Sequence, residues 1–230
     1  MPRPRDRVVG VAVATLASVA LLVTAVIVES PPIDLAFAND PAAQADLVAL
    51  IGASEQARYL VEFSTTRTLP DGSSRAEPVT EAQVPPRRVV VGASTATIDI
   101  GADRTRCTMT DEGAQCLPEP RDPDALTSAQ VYDAALVRGI YAVRPAPARR
   151  IAGEPARCFE LVAVAGVLPD LGLVAERCFA ADGIPLADRV ATSSVDDRRV
   201  ARSVRRDVDA DDLAALLDRF GAVSEEAAAS

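Results

Sequence analysis

The stretch Arg58-Tyr-Leu-Val-Glu-Phe-Ser-Thr-Thr-Arg-Thr68 decides the fold. Side chains along a strand alternate between two faces, so Tyr59, Val61, Phe63 and Thr65 share one face. Leu60, Glu62, Ser64 and Thr66 share the other. Aromatic and β-branched residues crowd the first set, as a half-buried strand requires. Pro70-Asp-Gly-Ser-Ser74 then turns the chain back. The same grammar repeats outward, with β-type runs at residues 75–84, 87–91, 95–100 and 104–110. Pro85-Pro86, Gly92-Ala93 and Gly101-Ala102-Asp103 separate them, and turn signals at such regular spacing predict an antiparallel meander.

On the N-terminal side, Asp40-Pro41 supplies a helix N-cap followed by proline at the first helical position. Leu47, Val48, Leu50 and Ile51 form an apolar stripe behind it, predicting a helix over 41–54. A second helix is predicted over 128–138, capped by Ser128, with Val131, Tyr132, Ala135 and Leu136 inward and Gly139 ending it. Residues 117–124, carrying three prolines, read as a loop, and Pro145 and Pro147 interrupt the segment after the second helix. Strands resume at 157–164, 174–180, 184–192 and 199–207, and a last helix covers 211–220.

Residues 8–28 carry no charge, and 21 residues of helix would rise about 32 Å, close to a bilayer's hydrocarbon thickness. Arg3, Arg5 and Arg7 stand just before, so the positive-inside rule puts the N-terminus in the cytoplasm and the rest outside. The run exceeds an ordinary signal h-region, and Ala36-Phe37-Ala38 lies far beyond it, which favours an uncleaved anchor over a cleaved signal. The expected organisation is a cytoplasmic N-terminus 1–7, a transmembrane anchor 8–28, a stalk 29–39, an extracytoplasmic domain 40–220 and a flexible tail 221–230. The expected fold is α+β: an N-terminal transmembrane helix, then a curved antiparallel sheet (a half-barrel) with three flanking helices. The expected location is the cell membrane, single-pass, with the C-terminal domain outside.

Cys107, Cys116, Cys158 and Cys178 all fall on that outer side, where disulfides persist. Four cysteines allow three pairings. The first two flank Asp111-Glu112-Gly113 and the second two flank Pro169-Asp-Leu-Gly172, each a turn signal between β-type runs. Cross-strand placement brings such pairs within bonding reach, predicting 107–116 and 158–178. No CxxC spacing is present, and no histidine assists a metal site.

The chain carries a net charge of −9, and all 24 basic residues are arginine. Such a balance disfavours nucleic-acid binding, and the Arg-rich, Lys-free composition points to a high-GC bacterial genome. Without histidine there is no Ser-His-Asp or Cys-His nucleophile and no His-ligated metal. Without lysine there is no Schiff base and no Walker-A loop. The expectation is a non-catalytic protein with no cofactor and no metal.

Three clusters remain. Asp207, Asp209, Asp211 and Asp212 resemble the start of a calcium loop, but Asp212 stands where an EF-hand needs glycine and Asp218 where it needs glutamate. Helix capping is the preferred reading. Arg198, Arg199, Arg202, Arg205 and Arg206 form the one basic run, able to meet anionic groups. A solvated edge strand is preferred, with a helix as the rival. Glu160 and Glu176 fall close together if the second hairpin forms, and read as surface charge rather than an acid–base pair.

Cys178-Phe-Ala-Ala-Asp-Gly-Ile-Pro-Leu186 resembles the aromatic strand, Asp-Gly turn and hydrophobic-Pro motif of the LolA-like fold, including the LppX/LprG lipoproteins. Tyr59-Leu-Val-Glu-Phe63 and Pro85-Pro-Arg-Arg-Val-Val-Val91 sit where that group's early strands would. The resemblance implies an open half-barrel over residues 40–220 whose concave apolar face holds acyl chains or lipoproteins. Lining residues would be Tyr59, Val61, Phe63, Val89, Val91, Ile98 and Ile100, assigned by strand alternation. The expected partners are the membrane, through the N-terminal helix, and the lipid or lipoprotein ligand that the resemblance implies. A related RseB-like group implies the alternative, an envelope sensor or protein-partner module without a lipid cavity.

Overall fold

The computed structural model describes residues 38–101, 103–119, 126–164 and 172–221. Helix α1 (Pro41–Gln56) leads into β1 (Tyr59–Thr68), β2 (Ser74–Val84), β3 (Arg87–Val91), β4 (Thr95–Ile100), β5 (Asp103–Thr110) and β6 (Gly113–Glu119). Helix α2 (Ser128–Val137) is followed by β7 (Tyr141–Ile151), β8 (Glu154–Ala163), β9 (Val174–Phe179), β10 (Pro185–Ala191) and β11 (Asp196–Arg205). Helix α3 (Ala210–Leu217) and a 3₁₀ turn (Asp218–Phe220) close the order.

All eleven strands form one sheet in the order β6-β5-β4-β3-β2-β1-β11-β10-β9-β8-β7. Two meanders meet where β1 pairs antiparallel with β11, so the first and last strands lie at the centre. Neighbouring strands within each meander are consecutive in the chain, and only the β6–β7 connection, which contains α2, joins one edge to the other. The disulfides are Cys107–Cys116 and Cys158–Cys178, the expected pairs. Each joins residues directly opposite in register, Cys107 to Cys116 between β5 and β6, Cys158 to Cys178 between β8 and β9.

Helices cover the two faces differently. Leu47, Leu50 and Ile51 of α1 and Tyr132, Ala135 and Leu136 of α2 pack with Phe159, Leu161 and Ala175. Leu213 and Leu217 of α3, with Phe220, cover the opposite face, against Ala82, Val89, Val91, Ala96, Ile98 and Cys107. Two helix starts are held by the residues that announce them, whereas α2 is capped by Thr127, one residue before the expected Ser128. Asp40 Oδ1 accepts from the Ala42 and Ala43 amides at 2.9 and 3.1 Å. Thr127 and Gln130 form a capping box on α2, and Asp209 and Asp212 form another on α3. The acidic run 207–212 thus caps a helix.

Several expectations need correcting. Among the described residues no helix is long and apolar enough to cross a membrane, so what the structure describes is a large antiparallel sheet with three α-helices, and the expected N-terminal transmembrane helix finds no support there. The anchor 8–28, most of the stalk 29–39 and most of the tail 221–230 fall outside the described residues. Residues 117–119 of the expected loop belong to β6, and 120–125 are not described. Pro145 and Pro147 do not break β7, because β7 is a sheet edge where a missing N–H costs no ladder bond. The basic run is not an edge strand: β11 is paired on both sides, by β1 and β10. Three of its five arginines are ion-paired, Arg199 with Glu81 at 2.6 Å. Arg206 reaches Glu154 at 3.0 Å and Asp182 at 2.7 Å, and Arg205 pairs with Asp212.

Candidate functional site

A cavity of about 450 Å³ lies between α1, α2 and the face of the sheet they cover. Strand register assembles its floor. Tyr59, Gln83, Arg88, Asp99 and Arg104 stand in one cross-strand row from β1 to β5. A second row runs Arg177, Asp188, Arg199 and Thr65 across β9, β10, β11 and β1. Alternating charges on adjacent strands attract one another, so each row is favourable in itself.

Glu81 is the hub. Its side chain is 2% exposed, and its carboxylate accepts from Arg88 Nε at 2.9 Å, Arg199 Nη2 at 2.6 Å and the Tyr59 hydroxyl at 2.7 Å. Burial pushes the Glu81 carboxyl up, but Arg88 and Arg199 more than offset this and hold it well below the usual carboxylate range. Tyr59 moves the other way, raised by burial and then by the neighbouring Glu81 carboxylate. Asp99 extends the network, receiving Arg104 Nε at 2.6 Å and Arg88 Nη1 at 3.5 Å. On the second row Arg177 Nη1 meets Asp188 Oδ2 at 2.7 Å. Arg199 lies 4.2 Å from the Phe63 ring centroid and Arg177 lies 5.5 Å from that of Tyr132. Aromatic faces favour guanidinium charge and keep its plane in place.

The roof and rim are more apolar. Ile51 from α1, Val131 and Tyr132 from α2, with Leu126 and Phe179, line the cavity above the charged floor. The roof is tied to the sheet by Gln83, whose Nε2 donates to the Ser54 and Ala57 carbonyls at 2.6 and 2.9 Å. The Asp182-Gly183 turn also presses on α1. A Cβ at Gly183 (φ +84°) would lie 2.7 Å from Ala53 Cβ and from the Ser54 amide nitrogen.

The structure divides the seven residues expected to line a ligand cavity. Tyr59 and Phe63 line it; Val61 shares their face and packs among Ile151, Ile184 and Leu186. Val89, Val91, Ile98 and Ile100 lie on the opposite face beneath α3. Sequence reasoning missed Glu81, Arg88, Arg177 and Asp188, and took Arg199 for part of a solvated basic edge strand. Charges at alternate positions of otherwise apolar strands were a signal for them, but only register shows which face they occupy. Glu160 and Glu176 are direct cross-strand neighbours. Each is spoken for, Glu160 by Arg144 at 2.6 Å and Glu176 by Arg149 at 3.0 Å. Cys158, Cys178 and Glu176 are close enough to suggest a metal ligand set, but both sulfurs are consumed in the disulfide.

No protein-family model matches the chain, and no curated protein matches it. Solved structures of LolA-type proteins are among those similar to this fold, the group that the motif around Asp182-Gly183 resembles. Among solved structures, a chain of the Pseudomonas aeruginosa MucA/MucB complex aligns with a TM-score of 0.50 at 17% identity, over 75% of this chain and 60% of that one. The Mycobacterium tuberculosis lipoprotein LppX aligns at 0.48 and 14% identity, over 74% and 98%. A LolA superfamily protein from Nitrosomonas europaea aligns at 0.33 and 9%, over 72% and 95%. At such identities the likeness is one of fold. This chain spans about 60% of the length of the MucB structures it matches.

Proposed function

We propose that the chain is an extracytoplasmic, non-catalytic binding module whose cavity holds a lipid or a lipoprotein acyl chain. The observation that carries the reading is the cavity of about 450 Å³ between two helices and the sheet, within the volume range of small-ligand sites. Ile51, Val131, Leu126 and Phe179 offer apolar surface for a hydrocarbon chain. The two disulfides support an oxidising compartment outside the cytoplasm. A binding role is supported by the state of the cavity's polar groups: Glu81 and Asp188 are each tied to arginine rather than free for acid–base work.

The test is to export the full chain from cells into an oxidising compartment, purify it, extract it with organic solvent and identify co-purified species by mass spectrometry. The expected result is about one acyl-bearing molecule per chain, depleted when Val131→Trp fills the cavity. Absence of any acyl species from the wild-type protein overturns the reading. A second reading, a protein-partner module, is favoured by the likeness to a chain solved in the MucA/MucB complex. A stoichiometric protein in place of lipid would support it.

A further inference from the structure

We infer that the cavity selects an amphiphile with an anionic head group, a carboxylate or a phosphate, seated over the row Arg177–Asp188–Arg199–Thr65. The inference rests on the binding function proposed above and gives it a chemical class.

The balance of charge on the floor is the first support. Arg88, Arg104, Arg177 and Arg199 line the cavity with three carboxylates, Glu55, Glu81 and Asp188, in a chain whose net charge is −9. Glu81 is shared between Arg88 and Arg199, and Asp99, outside the lining, between Arg88 and Arg104. Glu55 lines the cavity from α1, and its Oε1 accepts from the Ala129 amide at 3.2 Å, in the first turn of α2.

Hydrogen bonding is the second support. Arginine has five N–H donors, and each guanidinium on the second row reaches a carboxylate through one terminal nitrogen, Arg199 through Nη2 and Arg177 through Nη1. Arg177 Nε, Arg199 Nε, Asp188 Oδ1 and Thr65 Oγ1 are buried with no hydrogen-bond partner among the described residues. These four atoms belong to four residues consecutive in one cross-strand row. Buried polar groups are as a rule satisfied, and leaving one unpaired is costly. Four on one row, beside a cavity, mark a place where the fold has kept polar capacity for something other than itself. Stacking on Phe63 and Tyr132 holds both guanidiniums in place before any ligand arrives, which lowers the cost of binding. An anionic head takes charge-assisted bonds from these arginines, while its chain lies against Ile51, Val131 and Phe179.

The test is calorimetric titration of the full chain with decanoate, decyl phosphate and decanol, all below their micellar concentrations. The anions are expected to bind at least about tenfold more tightly than the alcohol. Arg177→Gln and Arg199→Gln are each expected to shrink that ratio to about twofold or less. Decanoate against decyl phosphate tells a free carboxylate from a phosphorylated head. If wild-type protein binds decanol as tightly as either anion, the head-group inference is overturned and the binding function stands. If none of the three binds, both fall. The wild-type comparison needs no variant, so it decides the matter even if an arginine substitution unfolds the protein.

Discussion

Replacing Glu81 with glutamine removes one negative charge from the least exposed carboxylate in the network while nearly preserving its volume. In the native protein its two oxygens take three bonds, from Arg88, Arg199 and the Tyr59 hydroxyl. Glutamine keeps one acceptor oxygen and turns an amide donor toward a guanidinium. Breaking a fully buried ion pair from one side costs about 3–5 kcal/mol. Arg88 and Arg199 are 36% and 25% exposed, so part of their charge can still be solvated and the lower end applies, about 3 kcal/mol. For a domain of this size that lowers Tm by about 6–12 °C. The pH dependence stems from the depressed Glu81 carboxyl. Above the ordinary value of 4.5 both folded and unfolded chains carry the charge, and its stabilising contribution is complete. As pH falls below that, the unfolded chain takes up the proton first, and the contribution shrinks by about 1.4 kcal/mol per pH unit. It is lost once pH passes through the folded value. Urea unfolding at pH 7, 5 and 3 should therefore show a constant gap between wild type and Glu81→Gln at the first two and a narrower one at the third. A gap below about 1 kcal/mol at pH 7, or one that widens on acidification, would refute the network's role.

Gly183→Ala forces a Cβ to within 2.7 Å of Ala53 Cβ and the Ser54 amide at a left-handed backbone position, and should cost about 2–3 kcal/mol in urea unfolding. Replacing Cys158 and Cys178 together by serine releases a loop of sequence separation 20 and should cost about 3 kcal/mol, against slightly less for the 107–116 pair at separation 9. The two differences are read by urea unfolding of oxidised wild type and each double variant. Asp209→Ala removes the α3 capping box and should cost about 1 kcal/mol, while millimolar calcium leaves the Tm of wild type unchanged. A calcium-induced rise in Tm would revive the metal reading of residues 207–212.

Local chemistry made much of the secondary structure legible. Asp40-Pro41 marked the start of α1, and the alternation from Tyr59 to Thr65 marked β1, because caps and side-chain periodicity are short-range properties of the chain. The two disulfide pairs were readable for the same reason, since each closes across strands adjacent in sequence. β7 was not, because a proline's fate in a strand depends on whether that strand lies at an edge. The basic run of β11 was misplaced because its ion-pair partners come from afar, with Glu81 lying 118 residues from Arg199.

The sequence by itself determined most of the strands, two of the three helix caps, the cysteine pairing and the exclusion of histidine and lysine chemistry, all of which depend on residue type and near neighbours. Only the tertiary structure decided what occupies the cavity floor. Alternation says that Arg88 and Val89 face opposite ways, but the pairing of Tyr59 with Gln83 and of Gln83 with Arg88 is what turns the arginine toward the cavity and the valine beneath α3. Register is a long-range property, set by which strands meet and in what alignment, and a one-residue shift would exchange the two faces.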